Sequence, residues 1–467
     1  MWFLYDESTT IIFINHTSKR RDNVMSQPLK TASENGERTS RIGSYWNPED
    51  PVFWEKEGKK HARRNLWISV PTLMLAFIVW QIWSITAARL NDIGFQLTQS
   101  QLFTLAAVPG LVGATFRFVY TFAVGKFGGR NWTVFSTGIL LVPAIGVGLA
   151  VQNPNTPYWL MLLLAAFCGL GGANFSSALA NISFFFPKKE KGTALGINGG
   201  LGNMGVSVVQ FVTPLIVTIG VFGAIGGEPQ VLADGSKVWL QNAAFIWVIP
   251  IVFFTILAYF GMDNLPNAKQ SVSEQFVIVK RKHTWVMTWL YTATFGSFIG
   301  YAAAFPLLLK SQFPEHVSLA FLGAFLAAAF RPVGGWLSDK LGGARVTNYV
   351  LIIMGLGAAA VMYFTTEKHF IGFIVSFLIL FIAAGMGSGS TFQMIPIIFP
   401  PKEAAPVLGF TAAFAAYGSF FIPKLFGWAA QNTGTPITAF YFFIAFYVVS
   451  IALNWYYYAG KNAEVKC

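Results

Sequence analysis

The chain has 467 residues, of which 54% are hydrophobic, 16% aromatic and only 11% charged. An ordinary soluble domain carries roughly a quarter charged residues, so this composition excludes a water-soluble fold and points to a chain that crosses a membrane many times. Two cysteines, Cys168 inside an apolar run and Cys467, exclude a disulfide framework and a thiolate metal site.

The first 65 residues are polar, with only the brief apolar patches Trp2–Tyr5 and Ile11–Ile14. They read as a solvated tail with no cleavable signal peptide. From Leu66 onward, apolar runs recur at the length needed to cross roughly 30 Å of hydrocarbon as helix. Twelve are expected: 66–90, 98–123, 132–152, 158–185, 193–222, 242–262, 284–308, 317–337, 346–366, 370–398, 406–429 and 436–459. Helix is the choice that satisfies every backbone group within the segment. The fold class is therefore an all-α membrane protein.

The positive charges fall on alternate loops. One set carries Lys59, Lys60, Arg63, Arg64, Lys126, Arg130, Lys188, Lys189, Lys191, Lys280, Arg281, Lys282, Lys340, Arg345, Lys402, Lys461 and Lys466. The other set carries only Arg89, Lys237, Lys310 and Lys368. That asymmetry places both termini in the cytoplasm. The net charge of +12 is thus a topology signal, and nucleic acid is not an expected partner.

The longest interior polar stretch, Asp263 to His283, divides the spans into two sets of six. The expected organisation is a tail over 1–65, a first six-helix half over 66–262, a cytoplasmic linker over 263–283, a second half over 284–460 and a cytoplasmic end over 461–467. The halves repeat. Arg117, Lys126, Gly128 and Gly129 return as Arg331, Lys340, Gly342 and Gly343; Phe186-Pro187 and Glu190 return as Phe399-Pro400 and Glu403; Leu195-Gly196 and Gly205 return as Leu408-Gly409 and Gly418. Parallel repeats of this kind place a binding site at mid-depth between the halves, the architecture of a transporter.

Ionisable groups within the spans are few. Arg117 lies midway along the second span and Arg331 at the equivalent place in the eighth, while every Asp and Glu falls at a span end or in a loop. An arginine at the bilayer centre costs at least about 2.5–3.5 kcal/mol. One reading satisfies each guanidinium with backbone carbonyls or lets it snorkel to an interface. The other makes the missing counter-charge the substrate: paired planar donors match a small oxyanion. The glycines Gly196, Gly199 and Gly205, with Gly409 and Gly418, read as close helix packing that also permits sliding between helices. Asn174, Asn181, Asn198 and Asn203 stand among the glycines of spans four and five, each able to bond an anion or a neighbouring helix. Phe175, Tyr291 and Phe295 are candidate walls, with Tyr291 and Phe295 one turn apart on one face. No phosphate loop, metal cluster or nucleophile constellation is present, so neither an enzyme nor a cofactor is expected.

The run Gly334-Gly-Trp-Leu-Ser-Asp-Lys-Leu-Gly-Gly343 resembles the loop motif of the major facilitator superfamily; its first-half copy around Gly125–Arg130 lacks the Asp. Gly171–Lys188, Gly196–Ser207, Thr294–Gly300 and Gly387–Met394 resemble the nitrate/nitrite porter family, in particular its NarK-type bacterial members. The resemblance implies a major facilitator fold and a nitrate/nitrite antiporter of the inner membrane, its partners being nitrate, nitrite and the bilayer, expected as a monomer. It assigns Arg117 and Arg331 to anion binding, Phe175 and Phe295 to sandwiching aromatics and Tyr291 to a hydrogen bond. Gly199 and Asn203 fall in its nitrate-signature stretch. A proton-coupled nitrate symporter of the same fold and a non-transporting anion receptor remain alternatives. The absence of a carboxylate or histidine at mid-depth speaks against a proton relay.

Overall fold

A computed structural model describes residues 46–265 and 277–467. The expected tail up to residue 45 and the central part of the expected linker, 266–276, lie outside the described residues. Within them twelve helical stretches are long and apolar enough to cross a membrane. Spans one to six are Pro51–Ile93, Gln99–Phe127, Gly129–Ala150, Tyr158–Phe185, Lys188–Ile216 and Asn242–Gly261. Spans seven to twelve are Lys282–Gln312, Pro314–Leu341, Gly343–Thr366, Phe370–Ile398, Lys402–Thr433 and Pro436–Ala459. A two-strand hairpin, β1 (Gln230–Val231) and β2 (Lys237–Val238), decorates the loop between spans five and six.

The start of span one corrects the expected boundary at residue 66. Helix begins at Pro51, where the Asp50 side chain accepts from the backbone N–H of Val52 and Phe53, a capped start with proline at the first helical position. This segment is held by span four and the start of span five. Trp46 Nε1 donates to Phe184 O at 3.0 Å, Trp54 Nε1 donates to Glu190 Oε1 at 3.1 Å, and Glu49 Oε1 accepts from Lys188 N at 2.9 Å. The polar composition conceals this because its few aromatics are what dock.

Small residues set the distances between helices. A Cβ at Gly113 of span two would stand 3.0 Å from Gly169 O of span four. In the second half, a Cβ at Gly385 of span ten would stand 2.1 Å from Ala327 O of span eight, and one at Gly334 of span eight 2.0 Å from Met386 O. The turns after spans two and eight repeat as well. Gly128 and Gly342 adopt φ of 85° and 89°, values that favour glycine, and each lets the next span start at once.

On the face that carries the basic loops, span one is tied to the end of span six. Asp263, 1% exposed, accepts from Arg64 Nη2 at 2.6 Å and Asn65 Nδ2 at 2.8 Å, and shares a hydrogen bond with His61 Nδ1 at 3.0 Å. Burial pushes its carboxyl up, but these bonds outweigh burial and hold it below the ordinary carboxylate range.

The first six and last six spans are tied to each other on the opposite side. Lys310 Nζ pairs with Asp92 Oδ2 at 2.7 Å, Lys424 Nζ donates to Thr104 Oγ1 at 3.0 Å, Gln210 Nε2 donates to Ala302 O at 2.8 Å, and Ser207 Oγ donates to Phe321 O at 3.3 Å. Towards the basic face, Gly192, Gly196 and Gly409 have no neighbour within the reach of an added Cβ. The described state is therefore closed on the side away from the basic loops.

Candidate functional site

Arg117 projects from span two, whose first turn is fixed by a capping box: Thr98 Oγ1 accepts from Gln101 N and Gln101 Oε1 accepts from Thr98 N. Its side chain is fully buried. Nε donates to Gly172 O of span four at 3.0 Å and Nη1 donates to Ala412 O of span eleven at 2.7 Å, across the two halves. Nη2 is buried and has no partner among the described residues.

Arg331 occupies the equivalent place in span eight. Its Nη2 donates to Tyr291 Oη at 2.9 Å, and its Nη1 is buried without a partner among the described residues. Because Tyr291 accepts from Arg331, its own O–H is left to donate elsewhere. So one reading of the arginines, satisfaction by carbonyls, describes two of the three donor nitrogens of Arg117. It leaves Arg117 Nη2 unanswered and describes no nitrogen of Arg331, whose Nη2 meets a tyrosine and whose Nη1 has no partner among the described residues, an arrangement that is costly for buried cationic donors.

Aromatic rings surround the pair. Phe175 and Phe295 stack at 6.5 Å between centroids with planes 28° apart, so the rings must part slightly, widening the slot between them to the ~7–8 Å that two van der Waals contacts with a flat guest require. The Arg117 Cζ lies 4.8 Å from the Phe175 centroid and 5.9 Å from that of Phe295, and the Arg331 Cζ lies 5.4 Å from the same Phe295 ring. Both cations therefore lie over the Phe295 ring, and Arg117 lies over Phe175 as well. Tyr291 stacks on Phe295 with planes only 6° apart.

Two further rings were not singled out from sequence. Phe392 of span ten lies 5.3 Å from Arg331 Cζ and tilts against Tyr291. Trp80 of span one lies 5.4 Å from Arg117 Cζ, and its indole donates to Pro109 O at 2.9 Å. With forty-six phenylalanines and fifteen tryptophans in the chain, only packing distinguishes these rings from core.

Asn203 is fully buried near the middle of span five, and neither polar atom of its side chain has a partner among the described residues. Gly199, one turn earlier on the same face, would set a Cβ 3.3 Å from Phe175, so this face meets the slot. The other asparagines separate from it. Asn174 Nδ2 donates to Ser136 O of span three at 3.1 Å, and Asn181 packs against Gly129. Asn198 shares its face with Gly202, which abuts Leu73 of span one.

The five glycines of spans five and eleven divide into three situations. Gly205 and Gly418 are wedged against backbone: an added Cβ would stand 2.3 Å from Met74 O of span one and 2.4 Å from Gly296 O of span seven. Gly199 is held close to the site ring, where an added Cβ would make a tight contact with Phe175. Gly196 and Gly409 meet nothing within 4 Å and are exposed.

Two six-helix sets packed around a mid-depth cationic slot define a multi-pass membrane transporter. A model of the Major Facilitator Superfamily matches residues 66–423. The chain is 47% identical over 449 residues to the nitrate/nitrite transporter NarU of Escherichia coli, covering 90% of this chain and 97% of that one. It is 44% identical over 435 residues to a probable nitrate/nitrite antiporter, NarK2, of Thermus thermophilus, with the same coverage. Among solved structures, the inward-open xylose transporter XylE of E. coli aligns with a TM-score of 0.64 at 16% identity, over 84% of this chain and 95% of that one. A bacterial homologue of the lysosomal transporter Spinster aligns at 0.65 and 14%, over 85% and 96%. These two likenesses establish the fold alone. The chain belongs to the major facilitator superfamily and, within it, to the NarK-type nitrate/nitrite porters.

Proposed function

We propose that this protein exchanges nitrate and nitrite across the inner membrane, binding one anion at a time between Arg117 and Arg331. The observation that carries this reading is the pair of buried guanidinium nitrogens, Arg117 Nη2 and Arg331 Nη1, that have no partner among the described residues and belong to cations lying over the Phe295 ring. A flat oxyanion entering the slot accepts from both nitrogens and from the Tyr291 hydroxyl, with Asn203 adding a donor from span five. The names of the relatives from E. coli and T. thermophilus supply the substrate class; the donor geometry supplies the reason a planar monovalent anion fits it.

The same charges couple binding to movement. Closing a dry cavity over two uncompensated cations carries a desolvation penalty of several kcal/mol per ion, so the unloaded carrier stalls and the loaded one moves. The halves, 66–262 and 284–460, rock about the site. The contacts Lys310–Asp92 and Lys424–Thr104 break as the side away from the basic loops opens, and the ends of spans five and eleven that carry Gly196 and Gly409 come together. The basic loops, and with them both termini, face the cytoplasm. Each chain holds a complete site, consistent with a monomer as the working unit.

The test is counterflow in proteoliposomes. Exchange predicts that labelled nitrate enters vesicles loaded with nitrite or nitrate, without any pH gradient, and fails to accumulate in vesicles lacking an internal anion. Uptake that requires a pH gradient and no internal anion would overturn exchange in favour of proton symport.

A further inference from the structure

Span seven, which carries two of the site's aromatic side chains, leaves α geometry between them: Tyr291 ends an α-helical stretch and Phe295 lies beyond it. Between the α-helical stretches Lys282–Tyr291 and Ser297–Gln312, residues Thr292–Gly296 form a π turn. Such a turn takes in one residue more than an α turn, rotating the downstream part of the span by about 100° relative to uninterrupted helix. The one hydroxyl proton of Thr294 has three acceptors within reach there. Thr294 Oγ1 lies 3.1 Å from Leu290 O and 3.4 Å from Tyr291 O, and 3.1 Å from Thr391 Oγ1 of span ten. Thr391 Oγ1 in turn donates to Gly387 O at 2.7 Å. The methyl of Thr294 sits on Gly387, where an added Cβ would approach it to 2.6 Å. Both threonines are fully buried.

Each threonine immediately precedes a ring that faces Arg331: Phe295 after Thr294, and Phe392 after Thr391. We propose that the Thr294–Thr391 hydrogen bond, by pinning the π turn of span seven to span ten, sets the positions of Tyr291, Phe295 and Phe392 around Arg331 and so tunes anion affinity. Thr294 and Thr391 are positioning residues; neither touches the anion. Without the hydroxyl of Thr294 the turn loses its side-chain contacts with Leu290 O, Tyr291 O and span ten, and the helix relaxes towards ordinary α geometry. Tyr291 Oη and the Phe295 face then move relative to Arg331. This inference rests on the two-arginine reading.

The test uses the full-length protein with Thr294→Val, which keeps the shape and removes the hydroxyl, and Thr294→Ser, which restores it. Nitrate counterflow with Thr294→Val is expected to show a half-saturating concentration raised about tenfold, the effect of one misplaced hydrogen bond to an ion. The maximal rate changes much less, and Ser returns the value to within about twofold of wild type. A structure of Thr294→Val is expected to show the π turn lost and the Tyr291–Phe295 rings displaced from Arg331. An unchanged half-saturation, a Ser variant no better than Val, or a retained π turn with rings in place overturns the inference. Loss of affinity in Thr294→Val alongside wild-type affinity in Arg331→Lys overturns the two-arginine reading instead.

Discussion

Arg331→Lys is expected to lower nitrate–nitrite exchange by about a hundredfold while leaving the protein folded. Arg331 divides its fork between Tyr291 and one partnerless nitrogen. Lysine retains the charge but is a point donor on a flexible stem, without the fixed pair of N–H groups. Two charge-assisted hydrogen bonds are affected, each worth about 1.5–3 kcal/mol, and every ~1.4 kcal/mol is a factor of ten. Arg117→Lys loses transport to a similar degree and differs in one respect. Its Nε and Nη1 also satisfy Gly172 O and Ala412 O, and an orphaned buried carbonyl costs about 1–3 kcal/mol. The thermal midpoint without nitrate should therefore fall for Arg117→Lys and hold for Arg331→Lys. Counterflow rates normalised to reconstituted protein, with thermal unfolding of the same samples, measure both effects. Wild-type half-saturation in Arg331→Lys would mean that its free nitrogen does not meet the anion.

The second large effect is expected at Gly205 and Gly418. A methyl at either position would lie within 2.4 Å of a carbonyl oxygen on the facing helix, and no side-chain rotation relieves a clash with backbone. Spans five and eleven must move away from spans one and seven, at about 1–3 kcal/mol for overpacking or more. At Gly418 the displaced partner is Gly296, the last residue of the π turn beside Phe295. Gly205→Ala and Gly418→Ala should thus lower the thermal midpoint and remove most exchange. Gly196→Ala and Gly409→Ala should fold normally, because their surroundings are open and alanine favours helix by about 1 kcal/mol. Equal damage at all four positions would contradict this division.

The number and order of the spans were legible because hydrophobic runs of membrane length admit little but helix. Spans four, ten and twelve fall at the positions read from sequence, 158–185, 370–398 and 436–459. The start of span one was not legible, since the residues that hold it, Trp46 and Trp54, dock on Phe184 and Glu190 more than a hundred residues away. The two arginines stood out because charge at mid-depth is rare. The groups that satisfy the rest of Arg117 did not, because the acceptors are the carbonyls of Gly172 and Ala412 and backbone carries no residue-specific signal. The π turn was hidden for a related reason. Tyr291 and Phe295 stand four apart, a spacing that reads as one face of an α-helix, and the different turn shows only in the backbone of Thr292–Gly296. The repeat between halves showed where equivalent glycines lie, but not that one pair is wedged and the other open.

The most direct measurement is a crystal structure of the protein with nitrate. The two-arginine site predicts flat, three-lobed density between the Phe175 and Phe295 rings, with oxygens about 2.7–3.0 Å from Arg117 Nη2, Arg331 Nη1 and Tyr291 Oη, the distances of charge-assisted bonds. Nitrate bound only among the lysines of the basic loops, with those two guanidinium nitrogens answered by other protein groups, would contradict it.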